Sequence, residues 1–171
     1  FPDGYVQSHR VAGGSVLGAK YLAREDATTL GLIGSGQQAR SHLLAYDIVS
    51  ELETVRVYSP TKEHRERFAE AMDGEVSPSV RAVDDAHDAF RGADIVQCAT
   101  SAISPVFEME WLEPGMHVGV IKDGEAPHGF WDSENFDRMA KDYTLTTRNE
   151  VQGNYVSAED RPRRPWDYYY V

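Results

Sequence analysis

Cysteine and positive charge are both scarce in this sequence. The single cysteine among 171 residues, Cys98, excludes a disulfide within the chain and favours a reducing compartment, so we expect a cytoplasmic protein. Only 17 lysines and arginines stand against 28 acidic residues, which gives a net charge of −11. This excess of negative charge argues against nucleic acid or an anionic membrane surface as the main partner.

Long apolar runs and metal-ligand spacings are also missing. No apolar run approaches the roughly 20 residues that a membrane-spanning helix needs. The six histidines and the one cysteine form no cluster with the spacing of a zinc site. We therefore expect neither a membrane nor a bound metal to take part in the function.

A glycine-rich turn between an apolar run and a helical pattern is the most informative segment. The run Leu30–Ile33 leads into Gly-x-Gly-x-x-Ala, and a helix is predicted over Gln37–Val49. Gly34 permits the tight turn, Gly36 lets the backbone approach a pyrophosphate, and Ala39 lets helix and strand pack closely. The pyrophosphate then meets free N–H groups at the helix N-terminus. The candidate cofactor contacts are Gly34, Ser35, Gly36, Gln37 and Gln38. The alternative is a strand-to-helix turn that binds nothing.

Strands and helices alternate along the chain. This pattern predicts an α/β fold: a doubly wound, mostly parallel sheet of the Rossmann type, in three αβα layers. The predicted elements are helix Val11–Arg24, strand Thr29–Ile33, helix Gln37–Val49, strand Thr54–Ser59, helix Lys62–Met72, strand Val80–Val83, a capped helical turn at 84–90, and strands at 93–100, 116–121 and 143–147. We divide the chain into a connecting segment and helix (1–26), a dinucleotide-binding domain (27–151) and a C-terminal tail (152–171).

The end of the second predicted strand favours NADP over NAD. A carboxylate about 20 residues after the glycine turn ordinarily binds the ribose 2′-hydroxyl of NAD. Here the strand ends in Ser59 and Thr61, and the nearest charged groups with the right sign for a 2′-phosphate are Lys62 and Arg65. We predict that these four residues contact the cofactor. The alternative is that Lys62 and Arg65 are charges on a solvent-facing helix surface.

The ends of the next two strands complete the predicted cofactor site. Ala99, Thr100 and Ser101 follow the fourth strand at the edge where such folds bind ligands. Ile121 ends the fifth predicted strand and is included as a further cofactor contact. The alternative for Thr100 and Ser101 is a role in capping or turn formation. Cys98 is expected to fill apolar space rather than act as a nucleophile.

Several segments, taken in order, resemble one protein family. They are Arg10-Val11-Ala12, Ala19–Arg24, Gln38–Leu43, Val55–Ser59, Gly92–Val96, Ala99–Ser101, Pro105–Phe107, Glu110–Leu112 and Pro114–Val118. Between about Arg10 and Val151 the sequence resembles the ornithine cyclodeaminase/mu-crystallin family, whose relatives include alanine dehydrogenases and cyclic imine reductases. The resemblance implies an NAD- or NADP-dependent protein that acts on an amino acid or imine.

The resemblance also implies a second domain and a homodimer. Family members carry a domain that supplies substrate contacts and the dimer interface, and we expect most of it to be missing from this sequence. Two residues match positions that the family uses on its substrate: Arg10 on a carboxylate, and Asp123 as the acid beside the reacting amine. The alternatives are a surface salt bridge for Arg10 and an Asp-Gly turn for Asp123. Two functions stay open: a cyclodeaminase, dehydrogenase or imine reductase, or a mu-crystallin-like module that binds NAD(P) without catalysis.

Overall fold

A computed structural model describes residues 4–128, 130 and 144–147 of the chain. The helices are α1 (Tyr5–Leu22), α2 (Gln37–Val49), α3 (Lys62–Asp73) and α4 (Ala86–Phe90). The strands are β1 (Thr29–Ile33), β2 (Thr54–Tyr58), β3 (Ser79–Ala82), β4 (Ile95–Cys98), β5 (His117–Val120) and β6 (Thr144–Thr147). Short 3-10 turns lie at Met109–Trp111 and Asp123–Glu125.

The six strands form one sheet in the order β3-β2-β1-β4-β5-β6, and every neighbouring pair is parallel. This is the strand order of doubly wound dinucleotide-binding folds, in which the chain reverses its direction of winding between β1 and β4. Ligands of such folds bind in the crevice beyond the carboxyl ends of the strands at that reversal. The predicted fold class is confirmed, and the sheet in the described residues is parallel throughout.

Side chains alternate between two apolar cores on opposite faces of the sheet. On one face Leu30 and Leu32 of β1 pack under α1, α2 and α3. On the other face Ile33 packs with Phe90 of α4 and with Phe107 from the segment after β4. The sheet is therefore covered on both sides, as a parallel sheet requires.

Most element boundaries agree with the sequence prediction within two residues, and α1 is the exception. The helix begins at Tyr5 rather than at Val11. The residues before Val11 are helical as well, and among them Ser8 is buried. The helix packs along α2 and ends at Leu22, just short of the predicted Arg24. The polar residues at 7–10 hid this extra turn and a half from a search for apolar periodicity.

A buried histidine lies between α1 and α2. His42 has no solvent exposure; its Nδ1–H donates to the carbonyl oxygen of Gln38 at 2.7 Å, and its Nε2 lies 3.1 Å from the hydroxyl of Ser15. Because a carbonyl only accepts, Nδ1 carries the proton of a neutral ring. Burial lowers the pKa of His42 to about 4 and that of His117, in β5, to about 3.

These two histidines are expected to make the fold sensitive to acid. Each has its ordinary pKa near 6.5 in the unfolded chain, so the stability that depends on the neutral rings is complete above pH 6.5 and is lost as the pH falls from 6.5 toward 4. The loss at pH 5 is about 2 kcal/mol for each histidine. Urea unfolding at pH 7.5 and at pH 5 should show this loss of unfolding free energy. His42→Gln should remove about half of the loss between the two pH values. The exposed control His64→Gln should keep the full loss, and equal pH dependence in all three proteins would contradict this account.

Candidate functional site

A cavity of about 980 Å³ lies beyond the carboxyl ends of β1, β2 and β4. Four segments line it: the glycine turn, the end of β2 with the start of α3, the residues after β4, and the rim around Trp111. Among the predicted cofactor contacts, ten line this cavity. They are Gly34, Ser35, Gly36, Gln37, Gln38, Ser59, Thr61, Ala99, Thr100 and Ser101.

Gly34 sets the start of the turn where β1 meets β4. Its φ is +122°, a backbone conformation that side chains with a Cβ rarely adopt, and a Cβ there would lie 2.4 Å from the carbonyl oxygen of Ala99. Its N–H donates to the carbonyl oxygen of Tyr58 at 2.8 Å, so the turn is anchored to the end of β2 as well. Glycine at this position is therefore a requirement of the fold.

Gly36 differs from Gly34 because no other described residue occupies the space beside it. Within the part of the chain that the structure describes, a Cβ at Gly36 would meet no atom within 4 Å, and its φ of −97° strains no residue. Gly36 is also the N-cap of α2, and no side chain caps this helix. The first N–H groups of an α-helix have no partner within the helix, so here they face the cavity. The opening suits a diphosphate that approaches the backbone closely.

Gln38 provides a second feature that fits a bound nucleotide. Its side chain lines the cavity, and its Oε1 is buried without a hydrogen-bond partner among the described residues. A buried acceptor without a donor is unfavourable by about 1–3 kcal/mol, and a ligand hydroxyl or amide would relieve this. The residues present therefore fit a dinucleotide, both at the helix N-terminus and in the polar groups beside it.

Hydroxyl groups join the glycine turn to the end of β2. The hydroxyl of Ser35 donates to that of Ser59 at 2.9 Å, and both residues line the cavity. Thr61 is the N-cap of α3, yet its side chain makes no cap hydrogen bond. These hydroxyls lie at the strand end that contacts the adenosine ribose in folds of this type.

The two cations predicted to bind a 2′-phosphate point elsewhere. Arg65 is only 7% exposed, donates to the carbonyl oxygens of Ser59 (3.1 Å) and Pro60 (3.4 Å), and pairs with Asp84 at 2.7 Å. Lys62 is exposed, with its Nζ 3.7 Å from a carboxylate oxygen of Glu66. Neither side chain is among the described groups that line the cavity. Arg65 instead supports the loop 59–61 from beneath.

A buried carboxylate, which the sequence analysis missed, holds the segment after β4. Glu125 has no solvent exposure. One of its oxygens accepts from the N–H and the hydroxyl of Thr100, both at 2.7 Å. The other accepts from the N–H groups of Ile121 (2.9 Å) and Lys122 (3.2 Å). Glu125 therefore ties the end of β4 to the end of β5 and fixes Thr100 at the cavity.

An aromatic rim, also missed from the sequence, closes one side of the cavity. Trp111 and Phe107 line it. The ring of Trp111 stacks on His87 of α4, with 5.2 Å between centroids, and meets Phe90 edge-on at 5.5 Å. These contacts fix a large apolar surface beside the cavity, and such a surface suits the flat ring of a nucleotide base.

The remaining candidates lie away from the cavity or outside the description. Arg10 is exposed on α1 and does not line the cavity, and Ile121 is buried and does not line it either. The side chain of Asp123 lies outside the described part of the chain, although its backbone begins the 3-10 turn that carries Glu125. Cys98 is buried, and burial raises the pKa of its thiol, as expected of a residue that fills apolar space.

The sequence analysis expected neither a bound metal nor a membrane to take part in the function. Among residues 4–128, 130 and 144–147, no three histidine, cysteine or acidic side chains are grouped closely enough to hold a metal ion. No helix within those same residues has the length and apolar character needed to cross a bilayer.

Several known proteins are similar to this chain in sequence and in fold. Residues 3–130 match the ornithine cyclodeaminase/mu-crystallin family. The chain is 37% identical over 117 residues to a Delta(1)-pyrroline-2-carboxylate reductase of Paracoccus denitrificans, a match that covers 68% of this chain and 37% of that protein. It is 31% identical over 119 residues to the ketimine reductase mu-crystallin of Rattus norvegicus, covering 68% of this chain and 36% of that one.

A solved structure is similar to this chain in fold as well as in sequence. The Delta(1)-pyrroline-2-carboxylate reductase of Thermococcus litoralis, solved with NADH and L-proline, superposes with a TM-score of 0.69 at 31% identity, covering 78% of this chain and 42% of that one. The chain spans a little over one third of the length of the curated relatives named above. Its fold, its glycine turn and its sequence place the chain in the ornithine cyclodeaminase/mu-crystallin family.

Proposed function

We propose that this chain forms the NAD(P)-binding part of an enzyme that transfers hydride to or from an amino acid or a cyclic imine. The observation that carries the proposal is the uncapped N-terminus of α2, where Gly36 leaves open space at the reversal point of the sheet. The relatives support the reaction class, because they are named as reductases of pyrroline-2-carboxylate and of ketimines.

Each segment that lines the cavity is proposed to contact a different part of the cofactor. The backbone N–H groups at the start of α2 would hold the diphosphate, and Gln38 would offer its free acceptor to a ribose or amide donor. Ser59 and Thr61 would contact the adenosine ribose, and Thr100 with Ser101 would border the nicotinamide half. When bound, the nicotinamide supplies or accepts the hydride.

The substrate contacts form the second half of the proposal. Arg10, which we propose for a substrate carboxylate, is exposed outside the cavity. Asp123, which we propose as the acid beside the reacting nitrogen, directly follows the segment that Glu125 holds. Since the chain spans about one third of its relatives, we propose that further chain, or a second subunit of a homodimer, completes the substrate site.

A second candidate function is binding of the cofactor without catalysis, in the manner of a mu-crystallin-like module. The position of Arg10 favours it, because this proposed substrate contact does not line the cavity that fits the cofactor. A turnover assay separates the two. Oxidation of NADH or NADPH that depends on a cyclic imine such as pyrroline-2-carboxylate would support catalysis by this chain, whereas cofactor binding without turnover would support the module.

Calorimetric titration with NAD⁺ and NADP⁺ tests the cofactor proposal itself. We expect saturable binding of one molecule per chain for at least one of the two. The preference for NADP stays a prediction from the sequence, and the positions of Lys62 and Arg65 do not support it. Absence of binding for both dinucleotides, by a chain that unfolds cooperatively, would contradict the proposed function.

A further inference from the structure

Two arginines lie side by side on the face of the sheet that also carries α4. In β2, Val55 and Val57 belong to the core beneath α1, α2 and α3, so Arg56 between them points to the opposite face. In β3, Val80 belongs to that same core, so Arg81 points away from it as Arg56 does. The strand register pairs Arg56 directly with Arg81. Adjacent strands are about 4.8 Å apart, so the two side chains leave the sheet as close neighbours.

This part of the sheet face is open to solvent. In the described residues β3 is the outer strand, and α4 packs over β1 and β2. Ser79 and Arg81, which share the face of β3 toward α4, are both exposed. Like charges at paired positions of neighbouring strands destabilise a sheet, so the two arginines together are unfavourable unless an anion lies between them.

The guanidinium group of Arg56 is partly desolvated and has no acceptor. Its Nε is buried without a hydrogen-bond partner among the described residues. Its two terminal nitrogens also have no partner there, but they stay accessible to solvent. Burial, and next the charge of Arg81, lower the pKa of Arg56. A charged donor that has lost part of its hydration without gaining an acceptor is unfavourable, and an anion at the terminal nitrogens would offset this cost.

Two carboxylates act on the charge of Arg56 from nearby, and both are engaged by other groups. Glu113 accepts from the N–H of Gly92 at 2.9 Å, and Asp88 pairs with Arg91 at 3.0 Å. Neither carboxylate forms an ion pair with the two strand arginines within the described part of the chain. Three guanidinium groups thus face two carboxylates here, in a chain whose net charge is −11.

We propose that Arg56 and Arg81 together bind an oxyanion of the phosphate or carboxylate class on this open face of the sheet. Guanidinium groups bind such anions through charge-assisted hydrogen bonds, and two of them at the spacing of adjacent strands can share the oxygens of one anion. Neither arginine lines the cavity beyond β1, β2 and β4, so this site is separate from the one proposed for the dinucleotide.

The test is thermal unfolding with inorganic phosphate or sodium acetate, compared with NaCl at the same ionic strength. We expect at least one of the two anions, at about 50 mM, to raise the midpoint by about 3–5 °C over NaCl. Arg81→Gln should lose this gain. The control Arg67→Gln makes the same change of charge on an exposed residue of α3, which covers the opposite face, and should keep the gain. In the ¹⁵N-labelled chain, the Nε–H resonance of Arg56 should shift saturably with the same anion.

The two anions distinguish the source of the oxygens. A larger effect of phosphate assigns a phosphate group to the site, a larger effect of acetate assigns a carboxylate, and equal effects assign the class as a whole. Equal gains in the unmodified chain and in Arg81→Gln, or an Arg56 resonance that neither anion shifts, would overturn the proposal. All three proteins keep the same glycine turn, so these outcomes do not depend on whether the cavity binds a dinucleotide.

Discussion

Gly36→Val is expected to weaken dinucleotide binding by at least about 100-fold while leaving the fold intact. The structure has open space for a Cβ at Gly36, and its φ of −97° suits any residue, so the free protein should tolerate the change. A valine would fill the space into which the diphosphate must come to reach the N–H groups of α2. Calorimetry with NAD⁺ measures the loss of affinity, and urea unfolding measures stability.

The matched control is Gly14→Val in α1. An added Cβ at Gly14 also meets no atom of the described residues within 4 Å, but Gly14 lies on α1 and does not line the cavity. This variant should bind dinucleotide with unchanged affinity. If Gly36→Val and Gly14→Val bind equally well, the helix N-terminus is not the diphosphate site.

Glu125→Ala is expected to lower the free energy of unfolding by about 3–4 kcal/mol, since it leaves four donors, one buried and three part-buried, without their acceptor. The effect should extend to function, because Thr100 and the end of β5 lose the group that fixes them beside the cavity. Urea unfolding at pH 7.5 measures the first effect, and NAD⁺ affinity measures the second.

Two further variants separate a local effect from general unfolding. Glu125→Gln keeps the shape and one acceptor oxygen, so it should fold, lose about 1–2 kcal/mol and bind NAD⁺ more weakly. Glu113→Ala removes an exposed carboxylate that accepts from the N–H of Gly92, and it should cost less than about 1 kcal/mol. Equal losses of unfolding free energy for Glu113→Ala and Glu125→Ala would contradict the claim that the hydrogen bonds of Glu125 contribute more to stability than one exposed hydrogen bond.

Much of this fold could be predicted from local sequence. The strand Thr29–Ile33 and the helix Gln37–Val49 occur as predicted, because an apolar run, two glycines and a helical pattern each carry their own signal. The alternation of strands and helices predicted a doubly wound, mostly parallel sheet, whereas the strand order itself came only from the structure, because it is a property of the whole chain.

The parts of the site that the sequence did not reveal depend on contacts between distant segments. Glu125 lies 25 residues from Thr100 along the chain, and nothing near Glu125 in the sequence distinguishes it from a surface acid. Arg65 looked like a helix-surface cation available to a phosphate, yet its pairing with Asp84, 19 residues away, turns it under the loop. Periodicity places a residue on a helix face, but it does not say which neighbour that face meets.

The central claim is that the backbone of the glycine turn holds the diphosphate of a nicotinamide dinucleotide. The most direct measurement is a titration of ¹⁵N-labelled chain with NAD⁺, followed through the backbone amide resonances. We predict that the largest saturable shifts occur at Gly36, Gln37 and Gln38, with smaller ones at the ends of β2 and β4. Saturable shifts that leave these three amides unchanged, or no shifts at all, would contradict the account.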